Sequence, residues 1–242
     1  MGKKILIVGG VAGGASTAAR IRRLDETAEI IMFERDEYIS FANCGLPYYI
    51  GGTIADKEKL LLLTPEAFRK RFNVDVRVGC EVTKIDRAGK TVEVYDLKKG
   101  ETYTESYDKL ILSPGAEPIK PSLPGIDSSR VFTLRNIPDT YRIKDHVDTR
   151  KPKRAVVIGA GFIGLEVAEN LFEQGVKTTI VELADHVLGP LDYEMAAIVH
   201  QHLKSKEVEL YLNDGARSFR EADSCIYVEL SSGRTIKADM VV

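Results

Sequence analysis

Three glycines, Gly159, Gly161 and Gly164, stand in a G-x-G-x-x-G spacing directly after the apolar run Ala155–Ile158. Residues of this kind suit a pyrophosphate. The first glycine permits a tight turn, the second lets backbone approach the phosphates, and the third lets a helix pack close to its strand. Unpaired N–H groups and the helix dipole at the start of that helix then attract the anion. Glu182 ends the next β-branched run, at about the 20-residue separation expected of an acid that binds a ribose 2′-hydroxyl. Leu183 and Ala184 follow it, with no arginine to neutralise a 2′-phosphate, so NADH is expected over NADPH.

A second loop of the same kind lies near the N-terminus. Gly9, Val11 and Gly14 occupy its three positions, with Gly10 and Gly13 as further glycines. Val11 departs from the pattern, yet Glu34 follows EIIMF where a ribose ligand belongs. One such loop alone is compatible with an ordinary tight turn of an α/β domain. Two, each with its strand, helix and distal acid, point to two dinucleotides, and FAD with a nicotinamide is the natural pair.

A flavin reduced by NADH must pass its electrons on. The candidate acceptor is Cys44, in the stretch SFANCGLPYYIGG. A free cysteine is most often a buried small hydrophobe, but beside a flavin an accessible thiol becomes a redox reagent. Ser40 and Asn43 could orient a small thiol there, and Gly45 leaves access to the sulfur. Cys80 and Cys225 lie in strand-like runs and read as structural. Three cysteines with no paired Cys/His spacing argue against a zinc site and fit a reducing, cytoplasmic setting. His146, His186, His200 and His202 have no companions at ligand spacing and read as surface residues.

The elements that must position these groups are legible in outline. KILIVGGVAGGASTAARIRRL with EIIMFER, and RAVVIGAGFIGLEVAENLFEQG with KTTIVEL, are two copies of a β-α-β signature. Between them, Thr64-Pro65-Glu66 reads as a helix start. VDVRVG, EVTKID, KTVEVYDL and ETYTESYD read as an antiparallel meander with turns at Ala88-Gly89 and Lys99-Gly100. KLILSPGAEPIKPSLPGID gives a strand and a Pro/Gly-rich connector, which sets an expected boundary between a first domain, 1–115, and a second, 116–242. Residues 138–149 read as helical. SSGRTIKADMVV ends on a strand-like run, which reads as a chain that continues. The fold class expected is α/β, with two Rossmann-like domains and a small β meander.

The bulk numbers agree. A net charge of −2 over 242 residues, without a basic block, gives no sign of nucleic-acid binding. The apolar runs are too short for a membrane span, and the N-terminal run is too short for a secretory leader.

On these residues the chain resembles the pyridine nucleotide–disulfide oxidoreductases, flavoenzymes with two Rossmann-type domains and a C-terminal dimer-interface domain. GGVAGG with SFANCGLPYYIGG is similar to the single-cysteine branch that contains coenzyme A disulfide reductases and CoA-persulfide or polysulfide reductases. Two-cysteine members carry C-x-x-x-x-C, where this chain has Tyr49. The resemblance implies an FAD site at Gly9, Gly10, Val11, Ala12, Gly13 and Gly14 with Glu34 and Arg35, a backbone contact to adenine at Val82, and a crossover near the flavin at Ser113 and Gly115. It implies an NAD site at Gly159, Gly161, Phe162, Ile163 and Gly164 with Glu182, in which Phe162 covers the flavin ring and Glu166 lies beside the nicotinamide. Ser16, Arg20, Arg23, Ser40 and Asn43 fall where a CoA channel is lined, although one lysine of that channel falls on Phe72. A second FAD segment and the interface domain are expected beyond Val242, with a homodimer in the full-length protein. The expected activity is FAD-dependent, NAD(P)H-driven reduction of CoA disulfide, persulfide or polysulfide through Cys44. NADH oxidase or peroxidase chemistry, and a non-catalytic nucleotide-binding fragment, are the alternatives.

Overall fold

The computed structural model describes residues 2–242. In chain order its elements are β1 (Lys4–Val8), α1 (Ala12–Leu24), β2 (Glu29–Glu34), α2 (Leu46–Ile50), α3 (Pro65–Phe72), β3 (Asp75–Val78), β4 (Cys80–Asp86), β5 (Thr91–Asp96), β6 (Glu101–Ser106) and β7 (Lys109–Leu112). The second half holds α4 (Ile137–Arg150), β8 (Arg154–Ile158), α5 (Phe162–Glu173), β9 (Lys177–Val181), α6 (Tyr193–Ser205), β10 (Glu209–Tyr211), β11 (Ala216–Ala222), β12 (Cys225–Leu230), β13 (Thr235–Ala238) and β14 (Met240–Val241).

The chain divides into two units. One runs to Ala42 and resumes over Glu58–Ala116; the other joins Asn43–Lys57 to Glu117–Val242. The segment 43–57 thus groups with the second unit, although in sequence it lies inside the span read as the first domain.

Each unit repeats one plan. The first has a parallel sheet in the order β3-β2-β1-β7 and an antiparallel sheet β4-β5-β6; the second has β10-β9-β8-β14 and β11-β12-β13. The duplication seen in the two β-α-β signatures therefore extends through the whole units. VDVRVG corrects the expected meander: β3 pairs parallel with β2, from Ile31 opposite Asp75 to Glu34 opposite Val78, and the meander itself is the three strands β4 to β6.

Burial explains the layering. The central strands β1, β2, β8 and β9 are buried along most of their length, as parallel strands covered on both faces must be. In the first unit Ile5, Ile7, Ile30 and Met32 pack with Ala15 and Ala18 of α1 and Phe68 of α3. Leu6, Ile31 and Phe33 face the other way, onto Cys80, Val92 and Val94 of the meander. In the second unit Val156 and Val181 meet Phe219, Ile226 and Val228 of the second antiparallel sheet. Each fully buried side chain of this size contributes roughly 1.5–3 kcal/mol. The helix start at Thr64 forms as expected, its hydroxyl accepting the Ala67 N–H at 3.2 Å.

A polar stitch also ties the first unit's sheet to its meander. Glu105 of β6 accepts from Lys4 of β1 and, at 2.7 Å, from Arg77 of β3. Arg77 also donates to the Tyr103 hydroxyl at 3.2 Å. Burial alone would raise the Glu105 carboxyl, but the hydrogen bonds from Lys4 and Arg77 outweigh it and hold the group below its usual 4.5. A depressed carboxylate stabilises the fold above its unfolded pKa and loses that contribution as pH falls through the folded value. Glu105→Gln should therefore cost about 1–3 kcal/mol at pH 7 and flatten the acid limb below the ordinary carboxylate range. Urea unfolding at pH 7 and at acid pH checks this; identical curves for the two proteins would show that the stitch contributes nothing.

Candidate functional site

The two glycine turns are the same object built twice. Gly9 has φ +95° and Gly159 φ +101°, the left-handed region that glycine adopts without strain. The Gly9 N–H donates to the Phe33 carbonyl at 2.8 Å, and the Gly159 N–H donates to the Val181 carbonyl at 2.8 Å. The distal acids then clamp the next residue. Glu34 Oε2 accepts the Gly10 N–H at 2.8 Å and Glu182 Oε2 accepts the Ala160 N–H at 2.6 Å. The other oxygens accept from Asp36 at 3.0 Å and from Ala184 at 2.8 Å. A carboxylate has about four acceptor positions, so capacity remains for ribose hydroxyls.

The third glycine of each loop is demanded by packing. A Cβ on Gly14 would lie 1.7 Å from the Gly9 carbonyl oxygen, and one on Gly164 would lie 2.0 Å from that of Gly159. The second glycine is different: a Cβ on Gly161 would meet no protein atom within 4 Å. Packing does not require glycine at 161, and the space beside it is open to a ligand. In the first unit this position is Val11, half-buried at the start of α1.

Neither α1 nor α5 has a side-chain cap, whereas α3 and α4 are capped by Thr64 and Asn136. The first amides of α1 and α5 lack intrahelical partners. Ala12 and Gly13 on one helix, and Phe162 and Ile163 on the other, are exposed there. Those donors fit a pyrophosphate.

Around the first turn, Ser113 donates its N–H to the Val8 carbonyl at 2.8 Å, and its own carbonyl crowds Gly9. Gly115 follows at φ +73°. Arg35 reaches Glu81 at 3.7 Å. Val82 lies on β4 beside a bulge in its pairing with β5, packed against the core formed by Leu6 and Phe33. Around the second turn, a cleft of about 250 Å³ is lined by Ile158, Gly159, Glu182, Leu183, Asp214 and Gly215 among others. Leu183 is 76% exposed. Glu166, half-buried on α5, lines with Phe162 a second cleft of about 440 Å³ between α5 and α6.

The residues expected to meet a thiol substrate are divided between the units. Ser16, Arg20 and Arg23 are exposed at helical spacing along α1. Ser40 is half-buried with φ +46°; its N–H donates to the Gly10 carbonyl at 2.9 Å, and its carbonyl accepts from Leu62 at 2.9 Å. These belong to the first unit, Asn43 and Cys44 to the second.

Asn43 and Cys44 are exposed in a 3₁₀ turn, Asn43–Gly45, that leads into α2. Of the three cysteines only Cys44 is exposed, and all are free. Cys80 and Cys225 are buried, and burial pushes the Cys80 thiol pKa up.

Sequence reasoning missed what holds the Cys44 turn. Helix α2 packs on α4 and α5. Gln174 donates its side-chain N–H to the Gly51 carbonyl at 2.5 Å. A Cβ on Gly51 would lie 2.1 Å from the side-chain oxygen of Asn170, itself 3% exposed. Tyr49 meets Tyr141 with ring centres 5.8 Å apart. The glycines at 51 and 52 were the available signal.

The histidines correct the surface expectation: His146, His186 and His200 are half-buried, and only His202 is exposed. No group of three or more metal-ligating side chains exists among the described residues. No described helix is long and apolar enough to cross a membrane.

The two glycines of the second loop give a paired prediction. Gly164→Ala should lower stability by about 1–3 kcal/mol through backbone crowding. Gly161→Ala should leave thermal unfolding unchanged while weakening NADH binding at least tenfold. Melting curves and NADH titration of both variants check this; unaltered NADH affinity in Gly161→Ala would mean that nothing docks against that turn.

Comparison with known proteins agrees with this geometry. A family model described as pyridine nucleotide-disulphide oxidoreductase matches residues 3–242. A coenzyme A disulfide reductase of Staphylococcus haemolyticus (strain JCSC1435) is 42% identical over 219 residues, covering 90% of this chain and 49% of that protein. The structure of reduced CoADR-RHD from Bacillus anthracis is 56% identical, with a TM-score of 0.95 over 100% of this chain and 43% of that one. An NAD-dependent persulfide reductase from A. fulgidus is 36% identical, with a TM-score of 0.93 over 99% of this chain and 44% of that one. The chain spans about half the length of the curated relative it matches. The chain belongs to the pyridine nucleotide-disulphide oxidoreductase family.

Proposed function

We propose that the protein to which this chain belongs is a flavin-dependent NAD(P)H:disulfide oxidoreductase that reduces CoA disulfide, CoA persulfide or polysulfide through Cys44. One observation carries this reading: two acid-clamped glycine turns in a chain whose only exposed thiol is Cys44. The similarity to a coenzyme A disulfide reductase and a persulfide reductase supports the substrate class.

In this reading FAD occupies the first turn, with Gly9 to Gly14, Glu34 and Arg35 around it and Val82, Ser113 and Gly115 contributing. NADH occupies the second, with Gly159 to Gly164 and Glu182; Phe162 and Glu166 attend its nicotinamide end. Glu182 accepts ribose hydroxyls and repels a 2′-phosphate, and exposed Leu183 offers no counter-charge, so NADH is the favoured donor. Bound together, the two cofactors supply two-electron transfer from nicotinamide to sulfur.

The protein's own chemistry is at the thiol. Cys44 thiolate attacks one sulfur of the substrate disulfide, forming a mixed disulfide and releasing one thiolate, which takes up a proton. A bound reduced flavin would supply the two electrons that split the mixed disulfide; Cys44 would leave as the thiolate and the second substrate thiolate would take up a proton. With a persulfide or polysulfide, the same attack breaks the S–S bond, moves the outer sulfur onto Cys44 and releases the shortened thiolate; the same two electrons would then release that sulfur as sulfide and restore the Cys44 thiolate. Ser16, Arg20 and Arg23 supply hydroxyl and cationic groups suited to the phosphates of a CoA-type substrate, and Ser40 and Asn43 supply hydrogen-bonding groups for its thiol end. A reducing cytoplasm suits three free thiols, and a homodimer is the expected assembly of the full-length protein.

In the full-length protein, Cys44→Ser should abolish CoA-disulfide reduction while rapid reduction of the flavin by NADH persists. Stopped-flow absorbance and a thiol-release assay read the two steps. Full disulfide turnover by the variant would refute the role of Cys44. Oxygen consumption that exceeds CoA-disulfide consumption in the wild type would favour an NADH oxidase instead.

A further inference from the structure

The duplicated turn shows how each unit holds its glycine loop from the far side. In the first unit the Ser40 N–H donates to the Gly10 carbonyl at 2.9 Å; in the second, the Leu188 N–H donates to the Ala160 carbonyl at 2.9 Å. Both donors are non-glycine residues in the left-handed region, at φ +46° and +52°. Each lies the same number of residues past its acid, Glu34 or Glu182. What holds the donor differs. Ser40 is pinned by backbone pairing, its carbonyl accepting from Leu62 and its neighbour Phe41 bridging Leu61. The Leu188 carbonyl accepts from Leu191 within its own loop, at 2.7 Å, and histidines contact that loop at Val187 and Leu191.

His200 Nε2 lies 3.1 Å from the Val187 amide, which donates to it. An amide N–H can only donate, so that nitrogen must be unprotonated. His186 has the opposite requirement. Its Nδ1 lies 2.5 Å from Asp185 Oδ1 and its Nε2 3.1 Å from the Leu191 carbonyl. Both neighbours are acceptors, so both bonds form only when the ring carries two protons. The Tyr193 ring lies edge-on between the two histidines, 6.2 Å from each.

We propose that His200 and His186 are positioning residues for the nucleotide turn: a neutral His200 holding Val187 and a charged His186 holding Leu191 clasp the 185–191 loop so that Leu188 seats Ala160. This rests on the reading that the second turn binds NADH.

The surroundings support these charge states. Burial and the nearby His186 charge push the His200 pKa down. The hydrogen bond that His186 donates to the Asp185 carboxylate pushes the His186 pKa up. The other charged groups against α6 are engaged or face elsewhere. Glu209 of β10 pairs with Lys177 at 2.7 Å, while Glu166, Glu169 and Glu173 of α5 share the α5–α6 cleft with His202 and Lys206. The signs follow from linkage. A depressed histidine contributes above its ordinary value of 6.5 and loses that contribution as pH falls through its lower folded pKa. A raised histidine contributes below 6.5 and loses that contribution as pH rises through its higher folded pKa. The clasp is therefore complete between the lowered His200 value and the raised His186 value, on either side of 6.5, and opens on the acid side through His200.

The test is NADH affinity between pH 5 and 8 for wild type, His200→Gln and His200→Ala, with amide hydrogen-exchange protection at Val187 and Leu188. Glutamine offers an acceptor oxygen near the Nε2 position and does not titrate. Loss of one such hydrogen bond is on the order of fivefold in affinity. Wild type should weaken by about that factor toward pH 5. His200→Ala should show the weaker affinity throughout, and His200→Gln should recover most of it and lose the acid limb. Protection at Val187 should follow the same order. An acid limb that persists in His200→Gln, or wild-type affinity and protection in His200→Ala at pH 7, would overturn the proposal. Failure of every version to bind NADH would defeat the nucleotide reading. The exchange data would then judge the clasp alone: lost protection in His200→Ala upholds it and unchanged protection overturns it.

Discussion

The arrangement depends on one interaction, a carboxylate at the end of the second strand accepting an N–H from the glycine turn. Glu34 takes it from Gly10 and Glu182 from Ala160. The bond fixes the turn that starts the helix, and the helix start presents unpartnered amides to an anion. It needs the strands in parallel register, so that acid and turn emerge at the same end of the sheet. That requires a sheet buried on both faces, which the helices and the small antiparallel sheets provide. The carboxylate is thus part of the fold, and in the proposed function it is part of the binding surface as well.

Because the clamp appears twice, each copy serves as a control for the other. The close approach of Gly14 and Gly164 to the turn recurs in both and belongs to the fold. The open space at Gly161 has no counterpart at Val11, and in the proposed function this difference is where the two sites depart in their ligand. The tie across the turn is likewise conserved in geometry and altered in chemistry. In the first unit the donor Ser40 pairs with Leu62, and in the second the donor Leu188 sits in a local turn closed by Leu191 and contacted by His186 and His200.

Much of this was legible in the sequence because it is local. A glycine turn, its strand, its helix and its acid all fall within about 30 residues, and Thr64-Pro65 announces its helix by the chemistry of one turn. What was not legible is non-local. The alternation in VDVRVG is compatible with a meander edge or a parallel edge strand, and only pairing with β2 decides. The alliance of 43–57 with the second unit rests on Gln174 and Asn170, more than 100 residues away from Gly51. The half-burial of His186 and His200 follows from the path of a loop, which carries no periodic signal. The exposure of Cys44 and the burial of Cys80 and Cys225 were anticipated, since strand positions with alternating apolar neighbours point inward.

The central claim is that each unit holds its own dinucleotide. Isothermal titration of the cofactor-stripped full-length protein with FAD and with NADH, each alone and each in the presence of saturating concentrations of the other, tests it most directly. The account predicts one site for each, with neither ligand displacing the other. Mutual displacement from a single site, or binding of neither, would contradict it.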